Sequence, residues 1–395
     1  MTDRRPLTIA VVAGEESGDL LGADLVRALQ RSTGRDIRLV GVGGRHLQEL
    51  GLKSLFDAGE IALMGISAIV RDLPRLIRRI GQAASAIADA RPDCLITVDS
   101  PDFCLRVAKK LRAAAPSIPI VHYVCPSVWA WRSGRAPAMR PYIDRILCVL
   151  PFEVDALARL GGPPGTYVGH RLTHNAGVLA AAEAQALPRD LSGEREKTLL
   201  LLPGSRRSEV RKLIGPFGDT VSLLLERGHR LRLLLPTVPH VADLVRSAVA
   251  GWKQQPEITV DQERKWQAFG EADAALIASG TVSLELALCG VPMISCYKLD
   301  PLGRMILRRT ITTWSGALPN LILDRPVVPE RYDDFVDPGP LARELEALWS
   351  RTHLRQWQKD GFAEVAARMA TDRPAGEMAA AAVVDVIEGR RAVGQ

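Results

Sequence analysis

Two lengths of hydrophobic pattern recur along the chain. Short, nearly continuous apolar runs of strand length are separated by helix-length stretches whose apolar residues repeat every three to four positions. In the first half the runs are Leu7–Ala13, Ile37–Val42, Cys94–Val98, Ile120–Val124 and Ile146–Leu150. In the second half they are Thr198–Leu202, Leu231–Leu235, Ile258–Val260, Ala274–Ile277 and Met293–Ser295. Strands apolar on both sides and separated by helices predict parallel sheets covered on both faces. GGPPG at 161–165 and the polar stretch 188–197 mark the boundary between two such sheets. The pattern therefore predicts an α/β protein: two Rossmann-like domains facing across a cleft, with ligands at the carboxyl ends of the strands. The first domain is placed at 1–175 and the second at 190–365. Residues 366–395, alanine-rich and helical in pattern, form a tail that packs back on a domain or on a partner chain.

The run Ala274–Ile277 ends at Ser279-Gly280-Thr281, and a helical stretch follows, closed by Gly290 and Pro292. Val282, Leu286 and Cys289 recur at helical spacing and are expected to bury one face. The first N–H groups of a helix lack internal partners and its amino end is electropositive, so this turn can hold a phosphate. Glu285, one turn in, is placed to accept hydrogen bonds from ribose hydroxyls. An ordinary strand–loop–helix unit with a solvated glutamate has the same pattern. A second turn of this kind, Leu202-Pro203-Gly204-Ser205-Arg206-Arg207-Ser208-Glu209, follows the first strand of the same half. Ser205 is expected to cap its helix, with Arg206 at the start, where a guanidinium suits bidentate phosphate contact. Two phosphate-competent turns in one half predict a nucleotide site.

The strand ends of the first half carry other candidates. Gly14, Glu15, Ser17, Gly18 and Asp19 link the first strand to its helix. Thr97-Val98-Asp99-Ser100-Pro101-Asp102 closes the third strand; Asp99 is assigned to chemistry and Asp102 to capping the next helix. His122 to Trp131, HYVCPSVWAW, ends another strand in a loop with two tryptophans, either a sugar or acyl platform or core. Asn320, among apolar residues at 318–322, either reads a ligand edge or ties down a loop. Ile61–Ile80 is apolar, with Arg71, Arg75, Arg78 and Arg79 in its second half. It reads as a surface helix or as a patch for an anionic bilayer or acyl chains.

Bulk properties narrow the field. The 395 residues, 24% of them charged, are those of a soluble globular protein with room for two cores. The net charge of +6 suits anionic ligands or surfaces, while no basic run interleaved with aromatics points to nucleic acid. The six cysteines form no CxxC pair and mostly sit in apolar runs, as buried thiols of a reducing compartment do. His170 and His174 are four apart but lack the glutamate of a zincin helix, so no metal is expected. Leu7–Ala13 is followed at once by Glu15, Glu16 and Asp19, which makes a strand and not a signal peptide. No stretch reaches the roughly 18 uncharged apolar residues of a spanning helix. Neither GxGxxG nor GxxxxGK[ST] occurs, which disfavours nicotinamide, flavin and ATP hydrolysis.

Together these motifs resemble the lipid-A-disaccharide synthase family. AGEESGDLLGA (13–23), MGI (64–66), DSPDF (99–103), HYVCPSVWAWR (122–132), PFE (151–153), VGH (168–170), LLPGSRRSEV (201–210), ASGTVSLE (278–285) and LPNL (318–321) stand in the family's order. Cys125 stands where serine is usual, Glu16 where a small residue or threonine is usual, and Trp314–Ala317 replaces a more hydrophobic lead-in. The resemblance implies a B-type glycosyltransferase fold with the UDP-sugar in the second domain. It implies transfer from UDP-2,3-diacylglucosamine to 2,3-diacylglucosamine 1-phosphate (lipid X), inverting the anomeric carbon, with no metal and no cofactor. Asp99 occupies the family's candidate base position, as the base or as a group that positions it. Gly204, Ser205, Arg206, Ser279, Gly280, Thr281, Glu285 and Asn320 would hold the UDP-sugar. Gly14, Glu15, Ser17, Gly18, Asp19, Met64, His122, Ser127 and Trp129 would line the acceptor side. The family is peripheral on the cytoplasmic face of the inner membrane, which turns Ile61–Ile80 toward membrane or acyl contact, and a homodimer through the C-terminal region is possible. The competing readings are a UDP-GlcNAc 2-epimerase, a peptidoglycan GlcNAc transferase, whose glycine-rich opening turn is absent, and a non-catalytic nucleotide-sugar sensor.

Overall fold

The computed structural model describes residues 5–62, 69–189, 195–300, 310–350 and 353–393. The chain forms two compact units, residues 1–171 with 371–395, and residues 172–370. Each contains one six-stranded sheet, and every pairing given is parallel.

In the first unit the strands are β1 (Leu7–Ala13), β2 (Ile37–Val42), β3 (Cys94–Val98), β4 (Ile120–Tyr123), β5 (Arg145–Cys148) and β6 (Gly165–Tyr167). They lie in the order β2-β1-β3-β4-β5-β6. Alternate residues of β1 feed two cores on opposite faces: Ala10 and Val12 join one, Ile9 and Val11 the other. This double burial is why the strand reads as one unbroken apolar run; each Ile or Leu so enclosed contributes roughly 1.5–3 kcal/mol. The helix Ala375–Val393 packs on the helix Glu16–Thr33. Its Ala379, Ala380, Val383 and Ile387 complete the second of these cores. Glu16–Thr33 ends at Gly34, whose left-handed backbone (φ 62°) closes the helix.

In the second unit the strands are β7 (Lys197–Leu202), β8 (Leu231–Pro236), β9 (Glu257–Thr259), β10 (Ala274–Ala278), β11 (Met293–Tyr297) and β12 (Glu330–Tyr332). Their order, β12-β11-β10-β7-β8-β9, is that of a doubly wound nucleotide-binding sheet. The chain reverses direction across the sheet between β7 and β10, and in the first unit between β1 and β3. The loops at the carboxyl ends of those four strands carry the two phosphate-competent turns, the Gly14–Asp19 segment and Asp99. β6 and β12 are absent from the hydrophobic pattern, being three residues long and largely polar or glycine-bearing.

The structure describes part of the expected patch at 61–80. Met64 and the MGI segment lie outside the described residues. In the helix Ile69–Ala90, Leu76 and Ile80 are buried in the core, whereas Ile77 is 56% exposed. Two of the four arginines are engaged by a carboxylate, Arg79 largely buried and Arg75 half exposed. Arg75 and Arg79 both bind Glu60, at 3.0 and 2.7 Å, and Arg79 also lies over Phe56. The arginine pair holds the Glu60 carboxyl below its usual range. No helix among the described residues is long and apolar enough to cross a membrane.

Candidate functional site

Seven of the eight residues expected at the nucleotide site line one cavity of about 380 Å³ in the second unit. They are Gly204, Ser205, Arg206, Ser279, Gly280, Thr281 and Glu285. The β10 side is built by a sharp exit from a fully buried strand. Gly280 has φ 154°, with open space where a side chain would project, and the helix Val282–Cys289 then begins with Thr281 as its N-cap. The Ser283 and Leu284 amides turn back to the Gly280 and Thr281 carbonyls at 3.1 and 3.0 Å, so the Gly280, Thr281 and Val282 amides are those left at the cavity. The helix ends at Gly290 (φ 81°). Its buried face is wider than the three-residue stripe expected. Ser283, Leu284, Leu286, Ala287 and Cys289 are all enclosed, and Val282 instead lines the cavity.

The β7 side differs from expectation in one detail. Ser205 does not cap the helix Arg207–Glu226; Arg206 is the N-cap residue. Glu209, three positions on, turns back to accept from the Arg206 amide (Oε2, 3.2 Å) and from its guanidinium (Oε1, 3.0 Å). Gly204 is obligatory here, with φ 116° and a hypothetical Cβ only 2.5 Å from Glu209 Cβ. The Ser205 carbonyl accepts from His240 Nε2 at 2.8 Å, which pins the turn from the β8 side. The Arg206 side chain is 78% exposed and so can swing toward a ligand, while the 15%-exposed Glu209 keeps its bond from the Arg206 amide. Thr237, at the end of β8, lines the same cavity with a buried hydroxyl that has no partner among the described residues.

Asn320 lies elsewhere. It is 1% exposed, and its carbonyl oxygen accepts from Val327 and Val328 amides, both at 2.8 Å. Its amide donates to the Val328 carbonyl at 3.0 Å and reaches Ser315 and Glu330. All its bonding capacity is spent on the loop, so it braces rather than reads. Glu330 in turn accepts from the Gly316 amide at 2.9 Å. A Cβ at Gly316 would stand 2.9 Å from Ser279 Oγ, so this network supports the cavity wall from behind.

In the first unit Asp99 stands at the end of β3 with φ 52°, followed by Ser100 with φ 41°. Two successive left-handed non-glycine residues are costly, about 1–3 kcal/mol each, and such strain collects at functional turns. The Asp99 amide donates to the Tyr123 carbonyl at 2.9 Å, which locks the turn to β4. Burial raises the Asp99 carboxyl above its ordinary value, opposed by the Ser100 amide. A carboxylate so shifted is a better proton acceptor near neutral pH. Gly14 packs against the same turn, its missing Cβ leaving 3.1 Å to Ser100 Oγ.

Other acceptor-side expectations are corrected by the packing. Asp19 is 3% exposed, and its carboxylate accepts from the Gly44, His46 and Leu47 amides at 2.7, 2.8 and 3.4 Å. It fastens the turn after β2 and has no face left for a ligand. His122 is fully buried, its Nδ1 2.8 Å from Thr97 Oγ1, and burial pushes it down to about 3, so it is neutral and belongs to the core. Asp102 does not cap its helix; it pairs with Arg135 at 2.5 Å and Arg132 at 3.6 Å. Glu15, Ser17 and Ser127 are exposed and Gly18 is buried. Trp129 is half-buried, stacked edge-on against Phe152, and its indole N–H donates to Glu153 at 3.2 Å.

Glu153, unmarked by any sequence signal beyond PFE, anchors the tryptophan loop. Its other oxygen accepts from the Val149 and Leu150 amides, both at 3.0 Å. Cys125, Cys148 and Glu153 bring their ligand atoms within 4.8 Å of one another in full burial. The Cys148 contact and burial push the Cys125 thiol up, so with no ion present it is protonated. All six cysteines are buried and unpaired. Burial raises the Glu153 carboxyl to about 7 from 4.5. A folded-state value above the unfolded one makes its stabilising contribution complete below pH ~4.5 and lost as pH rises through ~7. The Glu153→Gln variant is therefore expected to flatten the stability–pH curve across that window. The difference from the parent should be on the order of 3 kcal/mol, read by urea unfolding at several pH values.

A broader hollow of about 660 Å³ lies at the amino ends of β3 and β4, around Asp93 and Pro119. Parallel sheets bind ligands at the opposite ends of their strands, so the smaller cavity is the candidate site.

Comparisons with known proteins identify the family and the fold. The family profile described as lipid-A-disaccharide synthetase matches residues 9–383. A lipid-A-disaccharide synthase of Nitrobacter winogradskyi is 45% identical over 97% of this chain and 96% of its own length. One of Rhodopseudomonas palustris is 44% identical over 98% of each. Among solved structures, the UDP-GlcNAc 2-epimerase of Neisseria meningitidis bound to UDP-GlcNAc has a TM-score of 0.60 at 12% identity, covering 97% of this chain and 100% of its own. MurG of Acinetobacter baumannii has a TM-score of 0.56 at 12% identity, covering 97% and 99%. At such identities these structures show the shared fold, that of the B-type glycosyltransferases, and no more. With the profile spanning nearly the whole sequence and relatives this similar over their full length, the chain belongs to the lipid-A-disaccharide synthase family of disaccharide-forming glycosyltransferases.

Proposed function

We propose that this protein transfers 2,3-diacylglucosamine from its UDP derivative to 2,3-diacylglucosamine 1-phosphate, giving a β-1′,6-linked tetraacyl disaccharide 1-phosphate and UDP. The observation that carries the reading is the cavity between the β7 and β10 turns in a member of this family. It joins a helix amino end, an exposed arginine and a carboxylate one turn into the helix. That set suits a nucleoside diphosphate. The Gly280 and Thr281 amides and the Arg206 fork meet the charge that grows on the departing diphosphate, so the transfer needs no metal. Glu285 takes the ribose hydroxyls. Asp99 receives the proton of the acceptor's 6-hydroxyl as that oxygen attacks the anomeric carbon from the face opposite UDP, inverting it in one displacement. Gly14, Glu15, Ser17 and the Trp129 loop serve the acceptor. Acylated substrates place the reaction at the cytoplasmic face of the inner membrane, and the exposed Ile77 and Arg78 supply part of a peripheral contact.

Mixing the purified protein with both substrates in excess EDTA and taking a mass spectrum tests this reading. One UDP released per tetraacyl disaccharide 1-phosphate is expected. C2 epimerisation of plain UDP-GlcNAc without disaccharide would overturn it.

A further inference from the structure

Lys265 carries no motif, yet it stands in the wall of the same cavity as Glu285. It belongs to the helix Gln262–Glu271, which is capped by Asp261 accepting from the Arg264 amide at 2.7 Å. Lys265 Nζ lies 2.6 Å from Glu285 Oε2, with both side chains 20% exposed. The ammonium also sits 4.4 Å from the Trp266 ring centre and 5.4 Å from that of Phe269. The two rings meet edge to face at 5.4 Å. Neither ring can shift readily. Phe269 is fully buried, and Trp266 rests on Gly177, where a Cβ would come within 2.2 Å. A lysine is ordinarily a mobile point charge on a flexible stem. Here an ion pair and two fixed aromatic faces hold it in one place.

The carboxylate it holds is the one assigned to the ribose. Glu285 Oε2 is taken, while Oε1 has no hydrogen-bond partner among the described residues. We propose that Lys265 is a positioning residue that fixes Glu285 with Oε2 occupied and Oε1 offered to the vicinal hydroxyls of a ribonucleoside diphosphate. This rests on the reading of Ser279–Glu285 as the nucleotide site. It makes the lysine a determinant of sugar identity in the nucleotide, acting through Glu285 rather than through the phosphates. A carboxylate built to receive hydroxyls discriminates against an analogue that lacks them, because its own hydrogen-bonding capacity is then left unfilled.

The test is calorimetric titration of UDP and of 2′,3′-dideoxyuridine 5′-diphosphate into the parent, Lys265→Met, Lys265→Arg, Glu285→Gln and the Lys265→Met/Glu285→Gln double variant. The parent is expected to prefer UDP by roughly tenfold or more. Lys265→Met should lose about tenfold for UDP and less than about twofold for the dideoxy compound, so the preference collapses. Lys265→Arg should restore most of it, and the double variant should bind UDP no more weakly than Glu285→Gln alone. In turnover assays, KM for the donor should rise by more than kcat falls in Lys265→Met. A folded Lys265→Met protein that keeps the parent's preference, or weakens both ligands equally, would overturn the role of the lysine alone. A parent protein that binds neither ligand would overturn the nucleotide reading together with it.

Discussion

Replacing Asp99 with asparagine is expected to lower kcat by about 10²–10⁴-fold, the range associated with losing a general base. The asparagine variant is the clean probe because Asp99 sits at φ 52°, a left-handed conformation that aspartate and asparagine adopt more readily than alanine. Asp99→Ala should be as inactive, with an added stability loss of about 1 kcal/mol from the strained turn. The unfolding midpoint of Asp99→Asn should stay within a few degrees of the parent, a shift of about 1 kcal/mol or less. Wild-type-like turnover in a folded Asp99→Asn protein would remove the base assignment. The pH profile adds a second check. A base works deprotonated, so kcat/KM must rise with pH through the Asp99 value. Burial places that limb above the ordinary aspartate range, and Asp99→Asn should abolish it.

Arg206→Ala is expected to cost about 10²–10³ in kcat, as removal of one preorganised donor to a developing anion does. The fold should be untouched. The side chain is 78% exposed and its pair with Glu209 is of the kind that contributes about 0–1 kcal/mol. The helix start is also safe, because the bond from the Arg206 backbone amide to Glu209 Oε2 does not need the side chain. Arg206→Lys keeps the charge but not the two-pronged donor geometry, so it should recover only part of the loss. Donor turnover within about twofold of the parent in Arg206→Ala would mean that the helix amino end alone carries the diphosphate.

The features that could be read from the sequence are those encoded locally. A strand buried on both faces must be apolar at every position, so β1, β3, β7 and β10 are visible at a glance. Phosphate-competent turns are equally local, since a glycine, small polar residues and a helix start lie within a few positions. β6 and β12 were hidden because Gly165-Thr166-Tyr167 and Glu330-Arg331-Tyr332 offer no apolar run, unlike Ile258 and Val260 around the equally short β9. Side-chain roles set by distant partners were hidden too. Asp19 looks like part of a ligand loop until its three amide donors, 25–28 residues away, are in place. His122 and Asn320 are polar residues set inside apolar runs, and burial decided their roles. Lys265 was invisible for the converse reason. Its partner Glu285 lies on a different helix, and Trp266 and Phe269 beside it look like ordinary core. The tail showed its helix but not its destination, because small apolar residues such as Ala379 and Ala380 fit any flat partner.

The claim that ties these residues together is a single displacement at the anomeric carbon, with Asp99 taking the acceptor proton and Arg206 facing the departing UDP. The anomeric configuration of the disaccharide, read by NMR on product made from the α-linked UDP donor, tests it most directly. A β-1′,6 bond, with no α product at any time point, is the predicted result. An α-linked disaccharide would contradict the account, because retention requires a second displacement that these residues do not provide.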